Sequence, residues 1–319
     1  MLKQAEAGFG PYPCAKAGCW PCAGCIRAEG AASRPVFITD EPDEARRLCR
    51  DNPVIGLADN LSSGQESAWD GVSWLAEGVE DPDPGWILRA YCRFHRLPLC
   101  VLRTENFFLR ETCAADLPAM DRLYRDPDCR RFLPHPLAPL RAREAAAAGT
   151  RSAHPASVSA VRPCPEADDG TVAQDHENGS FPESLWLEWL ASYQARLKLS
   201  DGPSYLSLVT SDGQFAGRIG LEYTSAAALS GGSRGDGTSL WTEEGYFLGY
   251  ALLPGFRGRG LASAAAESLL TWAAAEWDID RFFILCGRSN TASAAAALRL
   301  GFSPAGRAGG YLLFVKSTG

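Results

Sequence analysis

Two short clusters in this sequence have residue types and spacings that could do chemistry. One is Arg257-Gly258-Arg259-Gly260, set between an apolar run (246–253) that breaks at Pro254-Gly255 and an alanine-rich stretch opening on Leu261 and Ala262. Amides exposed at a helix start carry partial positive charge, and glycines let the backbone approach an anion closely. Arginines add fork-shaped donors for phosphate oxygens. The loop therefore suits a pyrophosphate, although the chain has neither G-x-G-x-x-G nor G-x-x-x-x-G-K-[ST]. The other cluster is Cys14, Cys19, Cys22 and Cys25, among Pro, Gly and Trp20. Thiolates two residues apart can turn toward one centre and would suit zinc or an iron–sulfur cluster. The alternative is a cysteine-rich tail that holds no metal.

These clusters sit in a chain of 319 residues with 46% hydrophobic and 22% charged content, as expected of a folded globular protein long for one small domain. The formal charge of −7 argues against a general nucleic-acid binder and is compatible with a cationic amine substrate. Met1–Gly10 lacks the apolar core of a secretory signal, and no apolar run approaches the ~18 residues of a spanning helix, so a cytoplasmic protein without membrane contact is expected. Eleven scattered cysteines do not read as a secreted disulfide framework.

The elements that must position the loop can be read in order. After a cysteine-rich segment (1–34), residues 35–98 read strand (35–40), helix (43–50), strand (53–57) and helix (86–94), a small α/β accessory module. Asp40 reads as a strand-end turn residue. A second domain is expected from 104 to 319. It opens on a strand (106–111) and a helix (114–125) with Thr112 as its N-cap and Leu117, Met120 and Tyr124 on one face. Residues 134–182 lack periodicity and read as a disordered insertion, with His135, His154 and His176 exposed to solvent. A helix over 184–199 should turn Trp186 and Trp189 to the core. A hairpin (205–210 and 214–223), a glycine- and serine-rich loop (225–239) and the strand 246–253 lead to the basic loop. Beyond it come a helix to about 277 with Leu261, Ala265, Leu269 and Trp272 on one face, a strand (282–286), a helix closed by Gly301, and a last strand (311–315).

The basic loop, then Asn290-Thr-Ala-Ser293, then Leu298-Arg-Leu-Gly-Phe302 form an order that resembles the GNAT superfamily of acyl-CoA-dependent N-acetyltransferases. L-R-E-T-x-x-x-D-L-P-A-M-x-x-L-Y-x-D-P, ending at Asp126-Pro127, resembles the opening of the branch that acetylates ribosomal-protein amino termini. The resemblance implies a mixed, largely antiparallel sheet flanked by helices, preceded here by the small module, with acetyl-CoA as cosubstrate. It implies that Leu252 and Leu253 offer backbone amides to the thioester carbonyl. Arg257, Gly258, Arg259, Gly260, Leu261 and Ala262 would hold the pyrophosphate, and Asn290 the pantetheine arm. Many relatives carry a tyrosine as acid in the helix before L-G-F; the matching residue is Ala297, so Ser293 becomes the candidate thiolate donor. Glu222 and Glu244 are the candidate bases, since the acidic-x-G-Y of related sequences is Phe247-Leu248-Gly249-Tyr250 here. The implied acceptor is a primary amine on a small molecule or a protein N-terminus. Two other readings are a non-catalytic acyl-CoA binder and a metal or redox sensor governed by the four cysteines.

Overall fold

In a computed structural model the described residues are 3–5, 36–57, 66–76, 90–95, 97–133, 135–138, 140, 181–198, 204–230, 241–308 and 310–318. The chain divides into two compact units. The first comprises residues 1–103, 110–113 and 192–201, and the second 104–109, 114–191 and 202–319.

The first unit holds a four-stranded sheet of order β1-β2-β3-β4, formed by β1 (Lys3–Ala5), β2 (Val36–Thr39), β3 (Val54–Leu57) and β4 (Trp74–Ala76). β2, β3 and β4 run parallel, with α1 (Pro42–Leu48) crossing from β2 to β3 as the strand–helix–strand reading requires. The apolar runs are buried because a parallel sheet is covered on its faces: Val54, Trp69, Val72 and Ala45 form its core. Arg93 Nη2 donates to Glu111 Oε1 at 3.2 Å within this unit.

An eight-stranded, mostly antiparallel sheet follows the order β11-β12-β10-β9-β8-β7-β6-β5. Its strands are β5 (Cys100–Arg103), β6 (Phe107–Arg110), β7 (Tyr205–Thr210), β8 (Phe215–Ser225), β9 (Glu244–Leu252), β10 (Arg281–Gly287), β11 (Ser303–Ala308) and β12 (Tyr311–Ser317). Between them lie α2 (Leu117–Arg125), α3 (Pro127–Phe132), α4 (Glu183–Lys198), α5 (Ala226–Ser230), α6 (Leu261–Trp277) and α7 (Thr291–Arg299). The core runs through the middle strands, where Leu208, Ile219 and Leu221 are fully buried, and on to Ala265, Ala266, Leu269, Leu270 and Ala273 of α6. Small residues on α6 let the helix lie close to the sheet. Leu261 and Trp272, expected on the buried face, are only half-buried, because the stripe is centred on the alanines.

Several sequence expectations need correction. α2 starts at Leu117 after a 3₁₀ turn, Ala114–Asp116, so its N-cap is Asp116; Thr112 is buried instead, and its amide donates to Tyr193 Oη at 3.4 Å. Asp126 ends α2 but also begins α3, its carboxylate accepting the Cys129 amide at 3.1 Å. His135 is half-buried rather than exposed, stacked on Phe181 at 4.1 Å between centroids and 5.6 Å from Trp186. Strand β11 went unread, because Ser303-Pro-Ala-Gly306 carries turn residues; a bulge between Pro304 and Gly306 accommodates them. Part of the expected 225–239 loop is α5. Trp186 and Trp189 do face inward, 3% and 8% exposed. Residues 6–35, with Cys14, Cys19, Cys22 and Cys25, lie outside the described residues, as do 141–180, including His154 and His176.

Candidate active site

β9 and β10 are parallel neighbours, yet their ladder holds only Tyr246↔Phe282 and Phe247↔Phe283 before the strands part. On its other side β9 stays paired with β8 along its whole length, from Ser225↔Glu244 to Gly217↔Leu252. The divergence therefore opens on one flank of β9 only, over Gly249–Leu252. The end of β9 borders it, Ser293 at the start of α7 interacts with Tyr250 and Cys286 on its two sides, and α6 begins beyond the end of β9.

The start of α6 is shaped for an anion. Gly260 is its N-cap at φ 76°, a left-handed conformation that glycine takes without strain, and no side chain caps the helix. Gly258 lies at φ 73° for the same reason, and Gly258, Arg259 and Gly260 are all exposed. The amides of Leu261, Ala262 and Ser263 thus precede the first helical bond, Ala264 amide to Gly260 carbonyl at 3.0 Å. A pocket of about 670 Å³ lies beside them, lined by Arg259, Gly260, Leu261 and Phe256 together with Asp212 and Gln214 of the β7–β8 turn. Arg259 and the uncapped amides of the helix start fit a diphosphate such as that of coenzyme A, whereas the Asp212 carboxylate in the same lining does not.

Arg257 departs from the expected phosphate contact. Its Nε donates to the Leu252 carbonyl and its Nη1 to Asp128 Oδ2, each at 2.9 Å, while Nη2 donates to Asp126 Oδ1 and, at 3.3 Å, to Cys129 Sγ. The guanidinium thus clamps the end of β9 to the N-terminus of α3. Burial opposes the charged form of Asp126, but the Arg257 bond and charge and the Cys129 amide prevail and hold its carboxyl below the usual range.

At the start of α7, Asn290 Oδ1 accepts the Ser293 amide at 3.1 Å and so serves as the N-cap. Its amide nitrogen is the part left to meet a ligand. Ser293 is half-buried and close enough to interact with two residues of the gap, Tyr250 of β9 and Cys286 of β10. The Tyr250 Oη is buried without a partner at hydrogen-bond geometry, and burial raises the phenol pKa while Ser293 lowers it. Cys286 is raised by burial with the same opposition from Ser293. Ala297, where relatives carry a tyrosine, is fully buried. Sequence reading missed Tyr250, although its place two residues from Leu248 and Leu252 on a period-two strand puts it on their face.

The two candidate bases separate. Glu244 is exposed opposite Ser225 at the far end of β9, roughly 26 Å of extended strand from Leu252. Glu222 is half-buried opposite Phe247 and close enough to Tyr205 to raise its phenol pKa, after burial, which is the larger cause. Tyr205, Gly220 and Gly249 form one row across three strands. A Cβ on Gly249 would stand 2.1 Å from Tyr205 Oη, so the glycine is what lets this phenol lie across the sheet.

Residues 160–303 match the family model of the acetyltransferase (GNAT) domain. Over those residues, rather less than half of the chain, the sequence is that of a GNAT acetyltransferase domain. Domains of this family transfer an acetyl group from acetyl-CoA. Solved structures align with it at low identity. An acetyltransferase from Agrobacterium tumefaciens is 21% identical over 68% of this chain and 94% of its own, with a TM-score of 0.40. A ribosomal α-N-protein acetyltransferase in complex with coenzyme A is 15% identical over 69% and 98%, with a TM-score of 0.42. A ribosomal-protein-alanine acetyltransferase from Vibrio fischeri is 14% identical over 68% and 95%, also at 0.42. No curated protein matches the chain. Among the described residues no cluster of His, Cys, Asp or Glu could hold a metal, and no described helix is long and apolar enough to cross a membrane.

Proposed function

We propose that this GNAT domain acetylates a primary amine by direct attack on acetyl-CoA held in the gap between β9 and β10. The observation that carries the reading is the parting of those strands beyond Phe247 and Phe283, with the uncapped start of α6 at the end of β9. Acetyl-CoA supplies an activated acyl group on a thiol leaving group. The amides of Leu261 and Ala262 and the side chain of Arg259 hold its diphosphate, with Gly258 and Gly260 granting the close approach. Leu252 presents its backbone amide to the thioester oxygen, where charge develops in the transition state, whereas the Leu253 amide, expected to share that role, already donates to the Ala216 carbonyl at 2.9 Å. Asn290 orients the pantetheine arm through its amide nitrogen.

Proton traffic falls to the residues lining the gap. Glu222 accepts the proton of the incoming amine through water; Glu244, far along the strand, takes no part. Tyr250 and Ser293 together return a proton to the departing sulfur, the phenol as donor and the hydroxyl as its partner. Because its pKa is raised, Tyr250 keeps its proton throughout the neutral range, as an acid must.

The test is a panel of primary amines, both small molecules and short peptides with free N-termini, scored for CoA thiol release and for an N-acetyl product by mass. Stoichiometric release and product with an amine support the reading. Tight acetyl-CoA binding without turnover on any amine would make the chain an acyl-CoA binder instead.

A further inference from the structure

Arg218 lies midway along β8, paired across the sheet with Ser207 of β7 and Ala251 of β9, and is 5% exposed. Its guanidinium sits in an aromatic cage. The carbon is 5.0 Å from the Trp189 ring centroid and 5.3 Å from that of Tyr205, and Nη1 donates to Tyr124 Oη at 3.0 Å. Among the described residues no carboxylate lies within ion-pair distance of it, and Nε is buried with no hydrogen-bond partner. Arg93 and Arg257, by contrast, are paired with Glu111 and with Asp126 and Asp128. A buried charge with one neutral hydrogen bond is costly, and faces of aromatic rings return only part of that cost. Such a group persists where it has work to do.

We propose that Arg218 receives the carboxylate of the acceptor, so that the enzyme's substrates are amines bearing a carboxylate near the amino group. The inference rests on the transferase reading above. The edge of the guanidinium left by Tyr124 is the Nε side, and that side-on fork matches the two oxygens of a planar carboxylate. A phosphate dianion fits less well: Ser207, directly across from Arg218, donates at 2.8 Å to Asp116 Oδ2 of the 3₁₀ turn before α2, and an acid there repels a dianion more than a monoanion. Glu222 lies on the same face, four residues and about 13 Å of strand along β8, so the two long side chains must converge on such a molecule from either end. The position is right for an acceptor, since Ala251 is one strand away from Arg218, about 5 Å, and immediately precedes Leu252 and Leu253.

The experiment compares kcat/KM for β-alanine with β-alaninamide, and for peptide amides beginning with Asp against the same peptides beginning with Asn. We expect wild type to favour the carboxylate member of one pair by at least about tenfold, and the pair that responds tells a free amino acid from an acidic N-terminus. In Arg218→Gln the ratio should fall close to one, and the favoured acid should no longer raise the melting temperature, while acetyl-CoA affinity measured by calorimetry stays unchanged. If Arg218→Gln does not fold, Arg218→Lys, which keeps the charge without the fork, should lower the preference. Equal use of acid and amide by wild type, an unchanged ratio in the variant, or no turnover of either pair by enzyme that binds acetyl-CoA would each overturn the assignment. Failure to bind acetyl-CoA would instead remove the transferase reading beneath it.

Discussion

Tyr250 and Ser293 come to one point from opposite ends of the domain's last third, one from a strand and one from a helix start. Replacing the phenol removes a donor from a buried place where Ala297 offers none. Tyr250→Phe is expected to lower kcat by about 10²-fold while acetyl-CoA affinity stays within about twofold, read from steady-state rates and calorimetry. Loss of affinity in parallel with rate would assign Tyr250 to binding instead. Asp126 shows how a residue can be read correctly in one role and missed in another. Its place as a helix-ending Asp-Pro was legible; its bond to Arg257, 131 positions away, was not. Because its folded pKa is depressed, its contribution is present above the ordinary carboxylate value of 3.8 and is lost as pH falls through the folded value. Asp126→Asn keeps the capping oxygen but loses the charge that Arg257 pairs with; it should cost about 1 kcal/mol near neutral pH by chemical denaturation, and the gap to wild type should close as pH falls through the folded pKa of Asp126.

At the scale of elements, the apolar alternation of β7, β8 and β9 and the Ser211-Asp-Gly213 turn made the hairpin and its extension readable. What they could not convey was why β8 and β9 carry Gly220 and Gly249 in one row. The cause lies on a third strand, at Tyr205: a Cβ on Gly249 would meet its phenol, and one on Gly220 would meet its backbone. Gly249→Ala should destabilise the protein by about 1–3 kcal/mol, since the new methyl meets Tyr205 Oη before any carbon of the ring. Tyr205→Phe in the same chain should recover much of that loss, as the nearest ring atoms stand at 3.0 and 3.1 Å. Equal melting temperatures for Gly249→Ala and wild type would contradict the packing described. The basic loop was legible as an anion cradle because glycine placement and helix onset are local. The division of labour between its arginines was not, since only tertiary structure turns Arg257 toward α3 and leaves Arg259 beside the pocket.

Over the whole molecule, buried protonated groups govern behaviour in base. The Cys129 thiol is pushed from 9.0 to about 11, by burial first and by Asp126, against the charge of Arg257. Tyr205 is raised as well, chiefly by burial. The unfolded chain releases these protons first, so stability is full below pH 9 and declines as pH rises toward about 11. Urea denaturation across that range should show the decline, and Cys129→Ala should flatten part of it. The measurement that bears most directly on the central claim is calorimetric titration of acetyl-CoA into wild type and Arg259→Glu. Arg257, committed to its clamp, is left intact. The account predicts binding by wild type that weakens at least about tenfold in the variant, as loss of a charge-assisted phosphate contact requires. No heat with wild type, or equal affinity for both proteins, would contradict it.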